Sequence, residues 1–316
     1  MKITIVAFDL WGFNKIIADT LEKKGVTTTF IDSNKIHFKY KNFRQRLYNF
    51  FSKNFLGRNV KKNYRKRTIL QTIQNLSEQD VVLIVNPDHF DCEIVNNLKT
   101  KTKKYIAYNY DSLERNPLPE NFKTLFDKIY SFDISDVQKH SYLELLTNFI
   151  YIPQDFTTKP QNKMFMILSY SLERELLLSR IADILDKKNI HNYEFIVANP
   201  ETTQVNKNIL LTNDHISLDQ VINKARNAEI LVDLIRPKQS GLSFRYFEAM
   251  ALQKKIITNN ESVKLYDFYN PNNILIIKDN LTDIDNDFLN NKYEPIPDDI
   301  YHKYTLDNWI KTVFKI

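Results

Sequence analysis

The chain has 316 residues and a formal net charge of +6, and 43% of its residues are hydrophobic while 26% are charged. This composition is typical of a globular protein and excludes disorder of the whole chain, and the length predicts about two domains. Cys92 is the single cysteine, which excludes an internal disulfide framework and a zinc site built from several cysteines. No apolar run approaches the roughly 18 residues of a membrane span, and the N-terminus lacks a signal-peptide pattern, so we expect a cytosolic protein.

Five apolar, β-branched runs in the first half of the chain predict buried strands. They cover residues 2–8, 26–31, 80–85, 104–109 and 128–132. A helical pattern over 13–24 follows the first run, and Gly25 occupies the position just after it, where a left-handed residue is favoured. Each strand is separated from the next by a segment able to hold a helix. This half is therefore expected to fold as a parallel, doubly wound α/β sheet.

Residues 35–67 interrupt this alternation with aromatic residues placed among many lysines and arginines. A helix here would carry apolar and cationic residues on different sides, with Phe43, Leu47, Phe50, Phe51 and Phe55 on one and Arg44, Arg46 and Lys53 elsewhere. Three interpretations remain open: a core-facing helix with a solvated basic side, attachment to an anionic membrane surface, and a nucleic-acid contact. Nucleic acid is the least favoured, because the rest of the chain has no RNA-binding signature.

The α/β alternation restarts after residues 153–163, a polar stretch with two prolines that we interpret as a linker. Strands are predicted at 165–170, 193–198, 229–235, 255–258 and 273–277, and helices at 172–188, 218–227 and 242–253. The sequence thus predicts two Rossmann-like domains, 1–153 and 164–316, that face each other across a cleft. A C-terminal tail packed back on the first domain is compatible with this division. Ligands bind such sheets at the carboxyl ends of the strands.

Residues 229–260 are the most informative for function, because a buried strand leads through a cationic loop and Gly241 into a helix. The chain has only four glycines, so GxGxxG and Walker loops are excluded and nucleotide binding needs another device. A glycine at this turn permits close approach of a ligand, and the amides of a helix start favour an anion. Arg245 and Glu248 share a helix face with Gly241. The pair is predicted either to bind a phosphate and sugar hydroxyls or to form an ion pair on an exposed helix.

The sequence SGLSFRYFEAMALQKKIITNN at 240–260 resembles the donor-binding segment of GT-B glycosyltransferases, in which a glycine turn precedes a Glu-Ala-Met-Ala helix and a short apolar strand. The spacing of Arg245 and Glu248 is closer to the CgeB-like branch and related bacterial capsule or lipopolysaccharide enzymes. The phrases at 110–112, 132–133 and 266–274 also resemble that group. The likeness is firm over 225–280, looser over 105–180 and only architectural in 1–100.

This resemblance implies a nucleotide-sugar donor, with a UDP-sugar slightly favoured, held by Ser171, Arg174, Ser240, Gly241, Leu242, Ser243, Arg245 and Glu248. Glu248 would hold the ribose, the turn amides would contact the diphosphate, and Arg245 would neutralise it. Ser171 and Arg174 match a further phosphate contact. The chain departs from the family pattern at Gln253, where a glycine is usual, and in having no glutamate in 236–240. These departures leave the donor sugar and the stereochemical outcome open.

Candidates for a catalytic base are the aspartates that follow predicted strands of the first half, Asp9, Asp88 and Asp111, with His89 as a weaker fourth. For each aspartate the alternative is a turn or helix-capping role. No spacing of His, Cys or acidic residues typical of a metal site occurs. The run at 283–287, DIDND, is interpreted as a solvated loop or a helix start. We therefore expect metal-independent chemistry with no cofactor other than the nucleotide-sugar substrate.

The leading hypothesis is a glycosyltransferase that moves a sugar from a nucleotide-sugar donor to a surface-glycan acceptor, either a glycan or a lipid-linked glycan. Residues 35–67 would bring it to the inner face of the cytoplasmic membrane, and no nucleic-acid partner is expected. One alternative is a nucleotide-sugar 2-epimerase of the same architecture. Another is a non-catalytic module that binds membrane or nucleic acid.

Overall fold

The computed structural model describes residues 1–40, 42–44, 46, 47, 49, 59–199, 206–278, 281 and 284–316. The chain forms two compact units. Unit 1 comprises Met1–Phe132, Asp136–Leu145 and Val313–Ile316, and unit 2 comprises Asp133–Ser135 and Leu146–Thr312. In the described part of each unit, six strands form one sheet whose neighbouring strands all pair in parallel. The predicted parallel α/β architecture of both halves is confirmed.

The strands of the first sheet are β1 (Lys2–Ala7), β2 (Thr27–Asp32), β3 (Gln79–Val85), β4 (Thr102–Asn109), β5 (Lys128–Ser131) and β6 (Leu143–Leu145). The accompanying helices are α1 (Phe13–Lys23), α2 (Val60–Gln74), α3 (Cys92–Lys99) and α4 (Ile134–Lys139), with short 3-10 turns at Ser33–Lys35, Pro87–His89 and Glu120–Phe122. The order across the sheet is β2-β1-β3-β4-β5-β6. Helix α1 ends where Gly25 takes a left-handed φ of 80°, as its position predicts.

The strands of the second sheet are β7 (Asn162–Ser169), β8 (Tyr193–Ala198), β9 (Ile209–Thr212), β10 (Ala228–Asp233), β11 (Lys255–Thr258) and β12 (Ile274–Ile276). The helices are α5 (Leu172–Lys187), α6 (Leu218–Arg226), α7 (Phe244–Leu252), α8 (Asn286–Asn290), α9 (Asp298–Lys303) and α10 (Leu306–Phe314), with a 3-10 turn at Glu261–Leu265. The order is β12-β11-β10-β7-β8-β9. Helix α7 packs its Tyr246, Phe247 and Ala251 into a core that also contains Phe165 and Leu231 of the sheet.

Each sheet has one point at which the strand order changes direction. In the first sheet this point lies between β1 and β3, and in the second it lies between β7 and β10. Loops that follow the two strands at such a point diverge to opposite sides of the sheet, which opens a crevice where ligands bind in open α/β sheets. Ligand sites are therefore expected at the loops that follow β1, β3, β7 and β10.

Three sequence-based predictions need correction. Asn162 and Lys163 belong to β7 rather than to the linker, because Asn162 pairs with Ala228 of β10. The edge strands β6 and β9 were not predicted, since each is at most four residues long. A core-facing role is wrong for Phe43 and Leu47, whose exposed fractions are 74% and 45%. Phe50, Phe51, Phe55 and Lys53 lie outside the described residues.

No helix in the described part of the chain has the length and apolar character needed to cross a membrane.

Candidate functional site

The turn between β10 and α7 is held by the carboxylate of Asp133, which is 1% exposed. The Oδ2 atom of Asp133 accepts hydrogen bonds from the backbone amides of Ser240 at 2.6 Å and Gly241 at 3.0 Å. Its Oδ1 atom accepts from the Ser240 hydroxyl. The turn therefore binds an anion, as a glycine turn before a helix favours. In this structure the bound anion is the carboxylate of Asp133, a side chain of the same protein.

The carbonyl groups of the same turn are also fixed by hydrogen bonds. The Ser240 carbonyl accepts from Asn260 Nδ2 at 3.1 Å and from Ser262 Oγ at 2.5 Å. The Leu242 carbonyl accepts from Asn148 Nδ2 at 2.9 Å. Because these carbonyls are anchored, the amides of the turn keep a fixed direction whichever anion binds to them. Amides that are oriented in advance bind anions effectively, since no reorganisation is needed on binding.

Helix α7 begins at Phe244, two residues later than the sequence predicted, because Ser243 is its N-cap. The Ser243 hydroxyl accepts from the Arg245 amide at 3.1 Å and donates to Asp233 Oδ1 at 2.6 Å. Asp233 ends β10 beside the point where the strand order reverses. Burial raises the pKa of the Asp233 carboxyl above its ordinary value, and the Ser243 hydrogen bond and the charges of Arg245 and Arg174 partly oppose this rise.

Arg245 and Glu248 form an ion pair, with Arg245 Nη1 at 2.6 Å from Glu248 Oε2. Their side chains are 10% and 4% exposed. The predicted ion pair is therefore present, but it is buried and does not lie on an exposed helix face. Glu248 Oε1 accepts a second hydrogen bond from the Tyr151 hydroxyl at 2.6 Å. The Arg245 guanidinium lies 5.3 Å from the centre of the Phe165 ring. Removing one partner of such a buried pair destabilises a protein by about 3–5 kcal/mol.

The first turn of α5 brings Ser171, Arg174 and Glu175 to the same end of the second sheet. Ser171 is the N-cap residue of α5, and Arg174 Nη2 donates to the Ser169 carbonyl at 2.6 Å. Glu175 is completely buried. Among the described residues, neither of its carboxylate oxygens accepts a hydrogen bond. A buried carboxylate without partners carries a desolvation cost, which proteins tolerate mainly at functional positions.

Sequence reasoning missed four of these residues: Asp133, Tyr151, Glu175 and Asp233. Glu175 carried a readable signal, since it lies on the apolar face of α5 three residues before the buried Leu178. Asp233 lies inside the predicted strand 229–235, so its position at the end of β10 was not readable. Asp133 follows the predicted strand 128–132 directly and falls in the phrase at 132–133, but nothing in the sequence identified its partner, and Tyr151 carried no signal. Their partners Ser240 and Glu248 lie about 100 residues later in the chain, as the sequence separations of 107 and 97 show.

Two of the predicted bases in unit 1 are bound into local structure. Asp9 Oδ1 accepts from the Gly12 amide at 3.0 Å and Asp9 Oδ2 from the Lys15 amide at 2.9 Å, so Asp9 anchors the start of α1. Asp111 accepts from Arg115 Nη1 at 2.9 Å and from Asn116 Nδ2 at 2.8 Å. Burial raises the pKa of Asp9, against the effect of its amide hydrogen bonds.

Asp88, the third predicted base, lies in the 3-10 turn that follows β3. Its Oδ2 atom is 3.6 Å from His89 Nε2. Burial raises the pKa of Asp88, the neighbouring His89 opposes that rise, and the charge of Asp111 adds to it. Asn86, the residue before this 3-10 turn, has a left-handed backbone with φ of 48°, and its Oδ1 atom accepts from the Tyr110 amide at 2.9 Å. A strained residue at the end of a strand is typical of a functional loop.

No group of three or more His, Cys, Asp or Glu side chains with a metal-binding arrangement occurs among the described residues. In the acidic run at 283–287, Asp285 is the N-cap of α8 and accepts from the Phe288 amide at 2.8 Å. Asp283 lies outside the described residues. The helix-start interpretation therefore holds for Asp285.

Neither a protein-family model nor a curated protein matches this sequence. Solved structures match it over its whole length. An apo structure of OtsA has a TM-score of 0.57 at 10% identity and covers 100% of this chain and 98% of its own. A UDP-forming α,α-trehalose-phosphate synthase from Burkholderia xenovorans, in complex with glucose-6-phosphate, has a TM-score of 0.56 at 10% identity, with 100% and 99% covered. The N-terminal domain of a Candida albicans trehalose-6-phosphate phosphatase has a TM-score of 0.52 at 11% identity, with 99% and 96% covered. The chain has the GT-B fold.

Proposed function

We propose that this protein is a glycosyltransferase that binds a nucleotide-sugar donor at unit 2 and transfers the sugar to a glycan acceptor. The observation that carries the proposal is the buried Arg245–Glu248 pair beside the anion-binding turn of Ser240 and Gly241. Both lie where the strand order of the second sheet reverses, which is where ligands of open α/β sheets bind. The GT-B fold, shared with a synthase named as UDP-forming, supports the same class of donor.

Two groups of the chain already make the contacts expected of the donor. The Tyr151 hydroxyl donates to Glu248 as a ribose hydroxyl would, and the Asp133 carboxylate accepts from the turn amides as a diphosphate oxygen would. In our proposal the donor replaces Tyr151 at Glu248 and replaces Asp133 at the turn. The amides of Leu242 and Ser243 and the cations Arg245 and Arg174 complete the diphosphate contacts, with Ser171 at the start of α5. We favour a UDP-sugar among the possible donors.

The experiment that tests this proposal is calorimetric titration of UDP, GDP, CMP and ADP into the wild-type protein and into variants of the pair. Glu248→Gln removes the charge that faces Arg245, so it should lower both stability and nucleotide affinity. The combined variant Arg245→Met, Glu248→Leu, Tyr151→Phe replaces the network by apolar groups and should keep stability close to that of the wild type. It should still bind no nucleotide.

Asp299→Asn is the matched control, because Asp299 is an exposed acid on α9 of the same unit. A nucleotide present at about 100 times its dissociation constant should stabilise the wild-type protein by about 2.7 kcal/mol. Unchanged affinity in the combined variant would overturn the assignment of Arg245 and Glu248. Transfer is measured in the same preparation with excess EDTA. We propose that it needs no divalent metal, and loss of transfer that magnesium restores would contradict this.

We also propose that the acceptor is a surface glycan, such as a lipid-linked precursor, and that residues 35–67 bring the enzyme to an anionic membrane. This segment contains 12 lysines and arginines and no acidic residue. The exposure of Phe43 and Leu47 supports this interpretation, because apolar side chains between cations insert at the lipid interface. Phe43→Ser with Leu47→Ser should reduce co-sedimentation with phosphatidylglycerol vesicles. Equal binding to phosphatidylcholine vesicles, or no binding to either, would contradict it.

A further inference from the structure

Unit 1 contains a cavity of about 410 Å³ at the carboxyl ends of β1, β2 and β3. Its charged and titratable lining residues are Lys61, Lys62, Arg65 and Lys66 of α2, with His89 and Asp91 after β3. The volume is within the range of about 300–1,000 Å³ that small-molecule sites occupy. Every residue that lines the cavity belongs to unit 1.

The two acids near the cavity both form their direct ion pairs with one cation, Lys66, which leaves the other three cations without a direct partner among the residues that the structure describes. Lys66 pairs with Asp91 at 2.9 Å and with Glu93 at 2.7 Å. Lys61 lies 5.4 Å from the centre of the Tyr40 ring instead of beside an acid. Within the described part of the chain, Lys61, Lys62 and Arg65 have no ion-pair partner. A concave site with excess positive charge concentrates anionic ligands.

Arg65 is the cation most firmly positioned for a ligand. Its guanidinium carbon lies 5.9 Å from the centre of the Phe8 ring, which is within the range of a cation–π contact. Its Nε atom is buried and has no hydrogen-bond acceptor among the described residues. A buried donor left unpaired costs about 1–3 kcal/mol, and an anion in the cavity would remove that cost. The amides of Lys61 and Lys62 are already bound by the Asn59 side chain, at 3.1 and 3.2 Å, so side chains rather than the helix start must supply the contacts.

We propose that this cavity binds a phosphoryl group carried by the acceptor. Four cations against the two acids Asp91 and Glu93 leave an excess of two positive charges. This excess suits the double negative charge of a phosphate better than the single charge of a carboxylate, and the arginine fork matches phosphate geometry. The cavity is larger than phosphate alone, which leaves room for an attached sugar. His89 lines it and is the neighbour of Asp88, the base candidate with the fewest structural partners. The identification of the ligand as the acceptor rests on the proposed glycosyltransferase function. The binding of a phosphoryl group by the cavity does not depend on that function.

The test is calorimetric titration of inorganic phosphate, glucose 1-phosphate and glucose into the full chain, in the presence of saturating UDP. Saturation with UDP keeps the probes away from the proposed donor site of unit 2. Phosphate and glucose 1-phosphate should bind and glucose should not. Arg65→Gln and Lys62→Gln should each weaken phosphate binding by about tenfold, as expected for the loss of one charge-assisted hydrogen bond.

Arg67→Gln and Lys35→Gln are the matched controls, because both cations are exposed, belong to the same basic segment and do not line the cavity. They should leave phosphate affinity unchanged. Equal losses in all four variants would show a diffuse basic surface and overturn the proposal, as would the absence of any phosphate binding. Nucleotide binding by unit 2 could persist in that case, so failure here is distinguishable from failure of the proposed function.

The source of the phosphoryl group is decided with phosphatidylcholine vesicles that do or do not contain a polyprenyl phosphate. A soluble sugar phosphate as ligand predicts tight binding of glucose 1-phosphate and no gain from the doped vesicles. A lipid-linked acceptor predicts binding to the doped vesicles that Arg65→Gln weakens much more than Arg67→Gln does, since Arg67 belongs only to the basic segment and not to the cavity. Vesicle binding that depends equally on Arg65 and Arg67 would assign α2 to the membrane surface and refute the cavity as a phosphoryl site.

Discussion

The three strand-end aspartates of unit 1 differ in how much of their hydrogen-bonding capacity the chain already uses. Asp9 and Asp111 accept several hydrogen bonds from amides and side chains of their own loops. These bonds tie both side chains to their own loops, so neither is free to turn towards an acceptor hydroxyl, although burial raises the pKa of Asp9 as well. Asp88 has the neighbouring His89 at 3.6 Å, and burial raises its pKa. A raised pKa brings a carboxylate closer to the value at which a general base is effective.

Asp88→Asn should therefore lower kcat by roughly 100-fold or more while leaving nucleotide affinity unchanged, if Asp88 deprotonates the acceptor. Only ionised Asp88 accepts a proton, so the rate of the wild-type protein should fall as the pH falls through its raised pKa. That acidic limb should lie above the ordinary aspartate value of 3.8. The check is the pH profile of kcat/KM. Asp111→Asn serves for comparison and should act mainly on stability. Full activity of Asp88→Asn would exclude it as the base.

At the scale of single elements, α7 ends in a conformation that its sequence does not favour. Gln253 is the C-cap residue and has a left-handed backbone with φ of 50° and ψ of 50°. The Lys254 amide donates back to the Ala249 carbonyl at 2.9 Å, which closes the helix. Glycine is usual at this position in helices and in the family that the segment resembles. Gln253 thus adopts a backbone conformation that favours glycine although it carries a side chain.

Gln253→Gly should stabilise unit 2, because a left-handed residue with a Cβ costs roughly 1–2 kcal/mol. The added freedom of glycine in the unfolded chain offsets about 0.4–1 kcal/mol of this, which leaves a gain of about 1 kcal/mol or less. Thermal unfolding should show a rise of roughly 2–4 °C in Tm. Gln253→Ala keeps the Cβ and should show no such rise. An unchanged Tm in the glycine variant would mean that the Gln253 side chain stabilises the folded state by as much as its left-handed backbone destabilises it.

Most of the fold was readable from the sequence because its strands are buried on both faces. The predicted strands at 193–198 and 255–258 match β8 and β11 residue for residue, since their apolar runs end at polar or charged neighbours. The edge strands β6 and β9 escaped notice because edge strands are short and partly exposed, and Glu144 of β6 is an example. Periodicity also placed Arg245 and Glu248 on one helix face.

The candidate site was less predictable because its partners come from distant parts of the chain. Periodicity alone cannot show that Arg245 and Glu248 are buried, that Tyr151 binds Glu248, or that Asp133 binds the turn. These contacts depend on how the segment before β7 packs against α7, which is a property of tertiary structure. The cavity beside α2 was also missed. Its cations were visible in the sequence, but their convergence with His89 was not.

At the scale of the whole molecule, both units bury tyrosines whose neutral form they favour. Burial raises the pKa of Tyr110 in unit 1 to about 12 and that of Tyr193 in unit 2 to about 12, from an ordinary value of 10.0. Tyr105 and Tyr246 are more deeply buried, and the same cause raises their pKa values well above the ordinary one. The chain contains 17 tyrosines, so alkaline pH acts on many sites at once.

The protein should therefore lose stability steeply between about pH 10 and pH 12. The folded state holds the phenolic protons more tightly than the unfolded state, so this contribution is complete below the unfolded pKa of about 10 and is lost as the pH rises through the folded pKa. For the mostly buried Tyr110, the rise of the pKa from 10.0 to about 12 corresponds to about 3 kcal/mol of folding stability. Tyrosinate absorbance and circular dichroism, followed together during alkaline titration, should change in one transition. Tyr110→Phe removes the phenol but keeps the ring, and it should flatten the pH dependence of unfolding of unit 1 over this range. Gradual ionisation of the tyrosines before any loss of secondary structure would contradict this account, because it would mean that the phenols titrate within the folded units.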